Sequence, residues 1–309
     1  MHKTFLKRFL GFLPAVIIFP FMLWKLSGNF ETLFRQTIEI NPWLLFASAV
    51  LLFGHFTISG LGWWVLLHFF GGDLPPYQAV RISALAMLGR YIPGKIWTVA
   101  SKIYMAHAKG VAKKITYIAS VYEFILFNLS GFFIFLLMEA ITPSGIVYLK
   151  SLFVTFVFLV ILLFWWPNGV IWFLNHTLRL TRQAPVEKSL KRLQIFCIFL
   201  YYSCAWLIAG LSFYLFVQGI VPGMVYSQLT GALALASIVG FAVLLAPGGL
   251  GIREGVIAAL LILSGVATDM AVFVSLCSRI WSTGGEILIV FPLYLIKGSE
   301  LSKTRSYIE

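Results

Sequence analysis

Acidic side chains are scarce in this chain. Only 11 of its 309 residues are Asp or Glu, against 23 Lys and Arg, and charged residues together make up 11% of the sequence. A soluble domain carries about 25% charged residues. The polar surface needed to cover a water-facing globule is therefore missing. Hydrophobic residues reach 60%, with a mean hydropathy of +0.94, so lipid is the solvent this composition fits. No polar stretch is long enough to fold as a soluble domain, which argues against a membrane enzyme with a cytosolic catalytic domain. Cysteine is scarce as well. Cys197, Cys204 and Cys277 lie inside apolar runs with no CxxC or Cys/His spacing, and neither a disulfide nor a structural metal is expected. His55, His68, His107 and His176 form no HxxH or HExxH pattern and are expected to be hydrogen-bonded or interfacial. Asp occurs only as Asp73 and Asp269, both at expected span ends. The loop-borne acidic pair that holds a metal and a sugar diphosphate in many membrane glycosyltransferases is thus absent. No cofactor or metal is expected, no catalytic constellation is found, and the chain is read as a non-enzyme.

The net charge is +12, with basic residues concentrated at Lys3, Lys7 and Arg8, around 102–114, over 179–192, and at Lys297, Lys303 and Arg305. Cytoplasmic loops collect Lys and Arg, so these clusters read as topology signals. Nucleic-acid binding is not expected, because no basic, aromatic-interleaved soluble face exists.

What the chain has in quantity is long apolar runs. A bilayer core of about 30 Å needs about 20 apolar residues per helix. Six segments meet this: 6–26, 43–70, 115–138, 150–167, 194–218 and 270–296. The first lacks a small-residue cleavage site and is expected to be a retained span. Two regions do not behave as single spans. Residues 77–107 read as two short helices around Ile92-Pro93-Gly94, and residues 225–265 as two around Ala246-Pro247-Gly248-Gly249. Pro lacks the donor N–H and disfavours helix in the residue before it. At membrane depth such breaks are tolerated only when shielded by protein or lining a wet cavity. Both regions are read as re-entrant hairpins, with eight or more full spans as the alternative. With both termini cytoplasmic, the loops 27–42 and 139–149 fall outside, and the loop 168–193 and the charges Lys102, Lys109, Lys113 and Lys114 fall inside.

The breaks at Pro93 and Pro247 lie about half the chain apart. Downstream, Gly110-Val111-Ala112 parallels Gly265-Val266-Ala267, and Ser120 parallels Ser275. Each half (about 1–149 and 150–309 of a single transmembrane domain) reads span, span, hairpin, span. Three crossings is an odd number, so the second half would run upside down. Inverted repeats are a transporter architecture with a midplane site at the repeat interface.

Ionisable residues at membrane depth need a partner or a purpose. Around the first break, Arg90, Tyr91, Pro93, Gly94 and Lys95 place two cations beside a helix start, an arrangement suited to a phosphate. The competing reading is that Arg90 and Lys95 snorkel to headgroups. Around the second break, Pro247, Gly248, Gly249, Gly251, Arg253 and Glu254 combine close-approach glycines with a charge pair at a helix start, where Glu254 alone has a simple role at the helix dipole. Glu123 and Arg279 occupy matched mid-span positions and are expected to meet as a buried ion pair near the pseudo-twofold axis. Glu286 is a second possible partner for Arg279 or a lone functional carboxylate.

The runs GRYIPGKIW (89–97) and APGGLGIREG (246–255), with Glu123 and Arg279, resemble the transmembrane region of lysylphosphatidylglycerol synthases in its stand-alone form. The resemblance covers nearly the whole chain. It departs at Tyr122-Glu123-Phe124, where the family pattern has Glu followed by Arg. In full-length synthases a soluble domain transfers lysine from tRNA, and the membrane region is associated with flipping the product lipid. Nothing after Lys297 is expected to form that soluble domain. The resemblance implies a flippase for an anionic or phosphate-bearing lipid, either a phospholipid or a polyprenyl-phosphate-sugar, in a bacterial or archaeal cytoplasmic membrane. A membrane-embedded glycosyl or acyl transferase is the second class, with Glu123, Glu254 and Glu286 as its only carboxylates at depth. An accessory subunit of envelope polysaccharide assembly is the third, with envelope glycosyltransferases as candidate partners.

Overall fold

The computed structural model describes residues 40–92, 96–142, 156, 168–180, 185, 189–243 and 246–305. The expected spans 6–26 and 150–167 lie outside these residues, apart from the single residue 156. Everything regular that is described is helical. The order is α1 (Pro42–Phe69), α2 (Pro76–Met87), a 3₁₀ turn (Leu88–Tyr91), α3 (Ile96–His107), α4 (Lys113–Ile141), α5 (Asn168–Leu180), α6 (Arg192–Gln218), α7 (Tyr226–Ala242), a 3₁₀ turn (Pro247–Gly249), α8 (Ile252–Leu263) and α9 (Thr268–Arg305). Four helices are long and apolar enough to cross a bilayer: Pro42–Phe69, Lys113–Ile141, Arg192–Gln218 and Thr268–Leu295. They coincide with four of the six expected spans. The chain is an integral membrane protein with an all-helical described structure.

Local chemistry sets the ends. Asn41 opens α1, its side-chain oxygen accepting from Trp43 N at 3.1 Å and Leu44 N at 3.3 Å, with Pro42 in the first turn where no donor is needed. α3 and α8 end alike. Gly110 has φ +91° and Gly265 φ +88°, and the following Val111 and Val266 amides donate five residues back, to Ala106 at 3.1 Å and Leu261 at 2.9 Å. This is a Schellman cap, which calls for glycine at the left-handed position. The Gly-Val-Ala match of the two halves is therefore a match of helix stops.

Two corrections to the sequence reading concern elements. The stretch expected as the loop 168–193 contains helix α5, because Val170, Ile171 and Leu174 recur at helical spacing. The last helix runs past the expected boundary at 296 to Arg305 and carries Pro292 within it.

Helices α1 and α6 form an antiparallel seam. Asn41 N donates to Gly219 O at 2.9 Å, and Ser48 and Ser212 exchange hydroxyl-to-carbonyl bonds at 2.6 and 2.7 Å. Further along, His55 Nδ1 meets Ala205 O at 2.9 Å and Tyr201 OH donates to Ile58 O at 2.7 Å. Side chains that bond across helices are satisfied without water, as lipid demands. The exposed side of α1 carries Trp43, Phe46, Val50 and Phe53 at helical spacing, a face fit for lipid. Two buried apolar clusters flank the molecule's middle. One joins α1 to α4 and the start of α6 around Trp63, Tyr122 and Tyr202. The other joins α4, α6, α7, α8 and α9 around Phe213, Leu229 and Ile257.

Candidate functional site

Between those clusters the two breaks meet. After Met87 the first broken segment tightens into its 3₁₀ turn, and Ile92 is extended (φ −89°, ψ 128°), as the residue before a proline should be. Pro93, Gly94 and Lys95 lie outside the described residues. In the second segment α7 stops at Ala242, and Gly248 takes φ +58° and ψ 15°. The Tyr91 ring lies directly against Gly248, where a Cβ would stand 2.9 Å from the ring. Only glycine permits this approach.

Charges surround the contact. Tyr91 OH donates to Glu286 Oε2 at 2.7 Å, and Arg90 Nη2 lies 2.5 Å from Glu286 Oε1. Arg279 Nη1 donates to Gly248 O at 3.1 Å and lies 3.7 Å from Glu254 Oε1. The Arg90 and Arg279 guanidinium carbons lie 5.8 and 5.7 Å from the centre of the Tyr91 ring. Glu254 also closes the start of α8, its Oε2 accepting from Gly251 N at 2.8 Å. It is fully buried, so it is both a helix-start residue and one half of a buried pair. Gly249 packs against Gly240 of α7 rather than facing the other break.

The expected Glu123–Arg279 pair does not form. Glu123 accepts from Lys102 Nζ with both oxygens, at 2.6 and 2.8 Å, and Lys102 lies 4.6 Å over the Trp63 ring. Arg279 goes to Gly248 and Glu254, and Glu286 goes to Arg90 rather than to Arg279. The reason is local. α3 folds back on α4 at Gly110, and α9 follows the second break directly, so each mid-span charge finds its partner in the broken segment of its own half. Glu286 alone reaches across to the other half.

A cavity of about 310 Å³ is lined by part of this set, while Tyr91, Gly248, Glu254 and Arg279 lie off its wall. It is lined from eight helices, α1 to α4 and α6 to α9, together with Arg90 of the first 3₁₀ turn. Arg90, Lys102, Glu123, Arg253 and Glu286 supply charge, while Phe56, Phe127, Trp206 and Trp281 supply apolar wall. Within it the Ser83 and Thr98 hydroxyls and the Arg90 and Arg253 Nε atoms are buried without a hydrogen-bond partner. Buried polar groups are paired as a rule. Such a wall fits a ligand with a charged, hydrogen-bonding head. Among the described residues no group of three or more His, Cys, Asp or Glu is placed to hold a metal.

A family model described as the lysylphosphatidylglycerol synthase TM region matches residues 9–289. The chain belongs to this family. The family is a membrane region associated with lipid flipping and synthesis. A search of curated proteins found no match.

Sequence reasoning missed Lys102 as a site residue, reading it as a cytoplasmic loop charge. It is 5% exposed and faces the cavity. The usable signal was the polar spacing Thr98, Lys102 on one face of a short helix. Arg81 of α2 was also passed over. It is 8% exposed, off the cavity wall, with Nε and one terminal nitrogen lacking partners.

Proposed function

We propose that this protein is a lipid translocase that moves a phosphate-bearing lipid through the charged cavity by alternating access. The observation that carries this reading is the meeting of both broken segments at one cavity whose wall holds three cations against two carboxylates, beside hydroxyls and aromatic side chains. A phosphate there is stabilised by guanidinium groups while its tails stay in the bilayer. Arg253 and Arg90 are the phosphate-binding residues in this reading, with Lys95 alongside them.

We read the chain as two inverted repeats with re-entrant broken segments. The antiparallel α1–α6 seam supports this, because those helices precede the break in each half and bond to each other about a common midpoint near His55 and Ala205. The matched caps at Gly110 and Gly265 support it too. Rocking of one half against the other about this seam would open the cavity to alternate faces. The depth carboxylates Glu123, Glu254 and Glu286 each lie against a cation, which favours binding and switching over acid–base chemistry. In this reading both termini lie in the cytoplasm of a bacterial or archaeal cell. The partners are membrane lipids or lipid-linked sugars, with envelope glycosyltransferases nearby.

The test is reconstitution of the full chain in phosphatidylcholine vesicles with a trace of labelled phosphatidylglycerol, following loss of the outer-leaflet label. Wild type is expected to exchange the lipid between leaflets, and Arg90→Ala and Arg253→Ala are expected to slow exchange about tenfold or more. No exchange by wild type, or both variants matching wild type, would sink the reading.

A further inference from the structure

Among the described residues that line the cavity, Phe124 alone is exposed, at 45%. Its ring has one side toward the cavity and another toward the surroundings. It stands in the middle third of α4, a helix long and apolar enough to cross the bilayer. At that depth the surroundings are hydrocarbon. Helix α7 supplies the other side of this mouth. The Phe241 ring lies 5.0 Å from the Phe124 ring and also lines the cavity. One turn away on each helix, Asn128 and Ser237 line it too. The two helices run antiparallel, and their seam is not closed evenly. At its far end Thr142 Oγ1 donates to Ser227 Oγ at 2.6 Å, and a Cβ on Gly231 would stand 3.3 Å from the Met138 Cβ. At the cavity the polar groups turn away from the seam. Asn128 Nδ2 donates to Phe124 O and Ser237 Oγ to Leu233 O, both at 2.7 Å and both within their own helix. The contact of the two phenylalanine rings closes the seam at this level.

We infer that the Phe124–Phe241 contact is the seat of a hydrocarbon chain, so that the ligand enters sideways from the bilayer and keeps its chain between α4 and α7. The proposal rests on the translocase reading and adds a second subsite to it. A ligand arriving from water needs a polar mouth at a membrane face. This mouth is aromatic and lies at hydrocarbon depth. Two rings in contact part at little cost, because an alkyl chain between them replaces the dispersion contacts they lose. Parting a hydrogen-bonded seam would instead strand donors in lipid. Asn128 and Ser237 are already satisfied within their own helices, so opening the seam here strands neither. The rings share the cavity wall with Arg253 and Arg90. A headgroup on those cations therefore leaves its chain at the rings.

Photo-crosslinking of the full chain tests this. Phe124→p-benzoylphenylalanine is reconstituted in phosphatidylcholine vesicles with a trace of labelled phosphatidylglycerol. Phe241→p-benzoylphenylalanine serves the same purpose should the first variant fail to fold. Ile280→p-benzoylphenylalanine, at a site on α9 that is 72% exposed, reports the bulk lipid. After irradiation, mass spectrometry gives the ratio of labelled adducts to phosphatidylcholine adducts. That ratio is expected to be about tenfold or more higher at the seam probe than at the Ile280 probe. Adding Arg253→Ala, or Arg90→Ala should that variant fail to fold, is expected to remove the enrichment, since the headgroup holds the chain in place. Equal ratios at the two probes overturn the proposal, and so does enrichment that survives loss of the arginine. If the labelled lipid still exchanges between leaflets in either case, the translocase reading stands. Arginine-dependent enrichment in protein that exchanges no lipid supports the chain seat and overturns the translocase reading.

Discussion

Lys102 and Glu123 show what a buried charge does at the scale of a residue. Each is held at membrane depth by the other, the ammonium touching both carboxylate oxygens and lying over Trp63. Removing one partner leaves the other charge buried and unpaired, at a cost of about 3–5 kcal/mol, whereas removing both costs much less. Lys102→Met is therefore expected to lower stability by about that amount in a detergent unfolding titration, and Lys102→Met with Glu123→Leu to recover most of it. Equal stabilities for the single and double variants would show that the pair is not coupled. Gly248 makes a second case. Its φ is +58°, and a Cβ there meets the Tyr91 ring at 2.9 Å. Gly248→Val combines left-handed strain of about 1–3 kcal/mol with a steric clash that parts the two breaks. Its melting temperature is expected to fall by several degrees and its lipid exchange to drop with it. A variant as stable and active as wild type would mean that the breaks need not touch.

Elements were legible where the signal was periodic or was punctuation. The apolar runs located the four long helices, and Pro93 and Pro247 located both breaks, because proline removes a donor wherever it stands. Asn41-Pro42 and Gly110 set a start and a stop through chemistry that needs only neighbouring residues, although the sequence reading used neither as a boundary. The α1–α6 seam was not legible. Ser48, His55, Ser212 and Ala205 are unremarkable in sequence, and their bonds join residues more than 140 positions apart. The weight of the caps is measurable. Gly265 has open space around its missing side chain, so Gly265→Ala costs only backbone strain, about 1 kcal/mol. Gly110→Ala, in the equivalent cap and with the same open space, is expected to lose a similar amount in the same unfolding measurement. A large difference between the two would argue against equivalent caps in the two halves.

For the whole molecule the decisive question is the orientation of the halves. Ala112 and Ala267 follow the matched caps and both are exposed. In a background where Cys197, Cys204 and Cys277 are replaced, Ala112→Cys is expected to react with a membrane-impermeant maleimide from the cytoplasmic face only. Ala267→Cys is expected to react only from the opposite face. Labelling of both from one side would remove the inverted repeat, and alternating access about the α1–α6 seam with it.

The sequence by itself determined the solvent, the four long helices, the two breaks and the family. Each follows from composition, period or a short motif, properties carried by neighbours along the chain. It also named most of the charged residues at the site, because an ionisable group inside an apolar run is conspicuous wherever it folds. Only the tertiary structure decided which charge meets which. The repeat register matched Glu123 with Arg279 as equivalents, and the reading took equivalence for contact. An ion pair is a matter of a few ångströms, set by how α3 folds back on α4 and how the second break lies beside α9. Those distances brought Lys102 into the site, turned Glu286 toward Arg90, and left Arg253 outside these three ion pairs among the described residues.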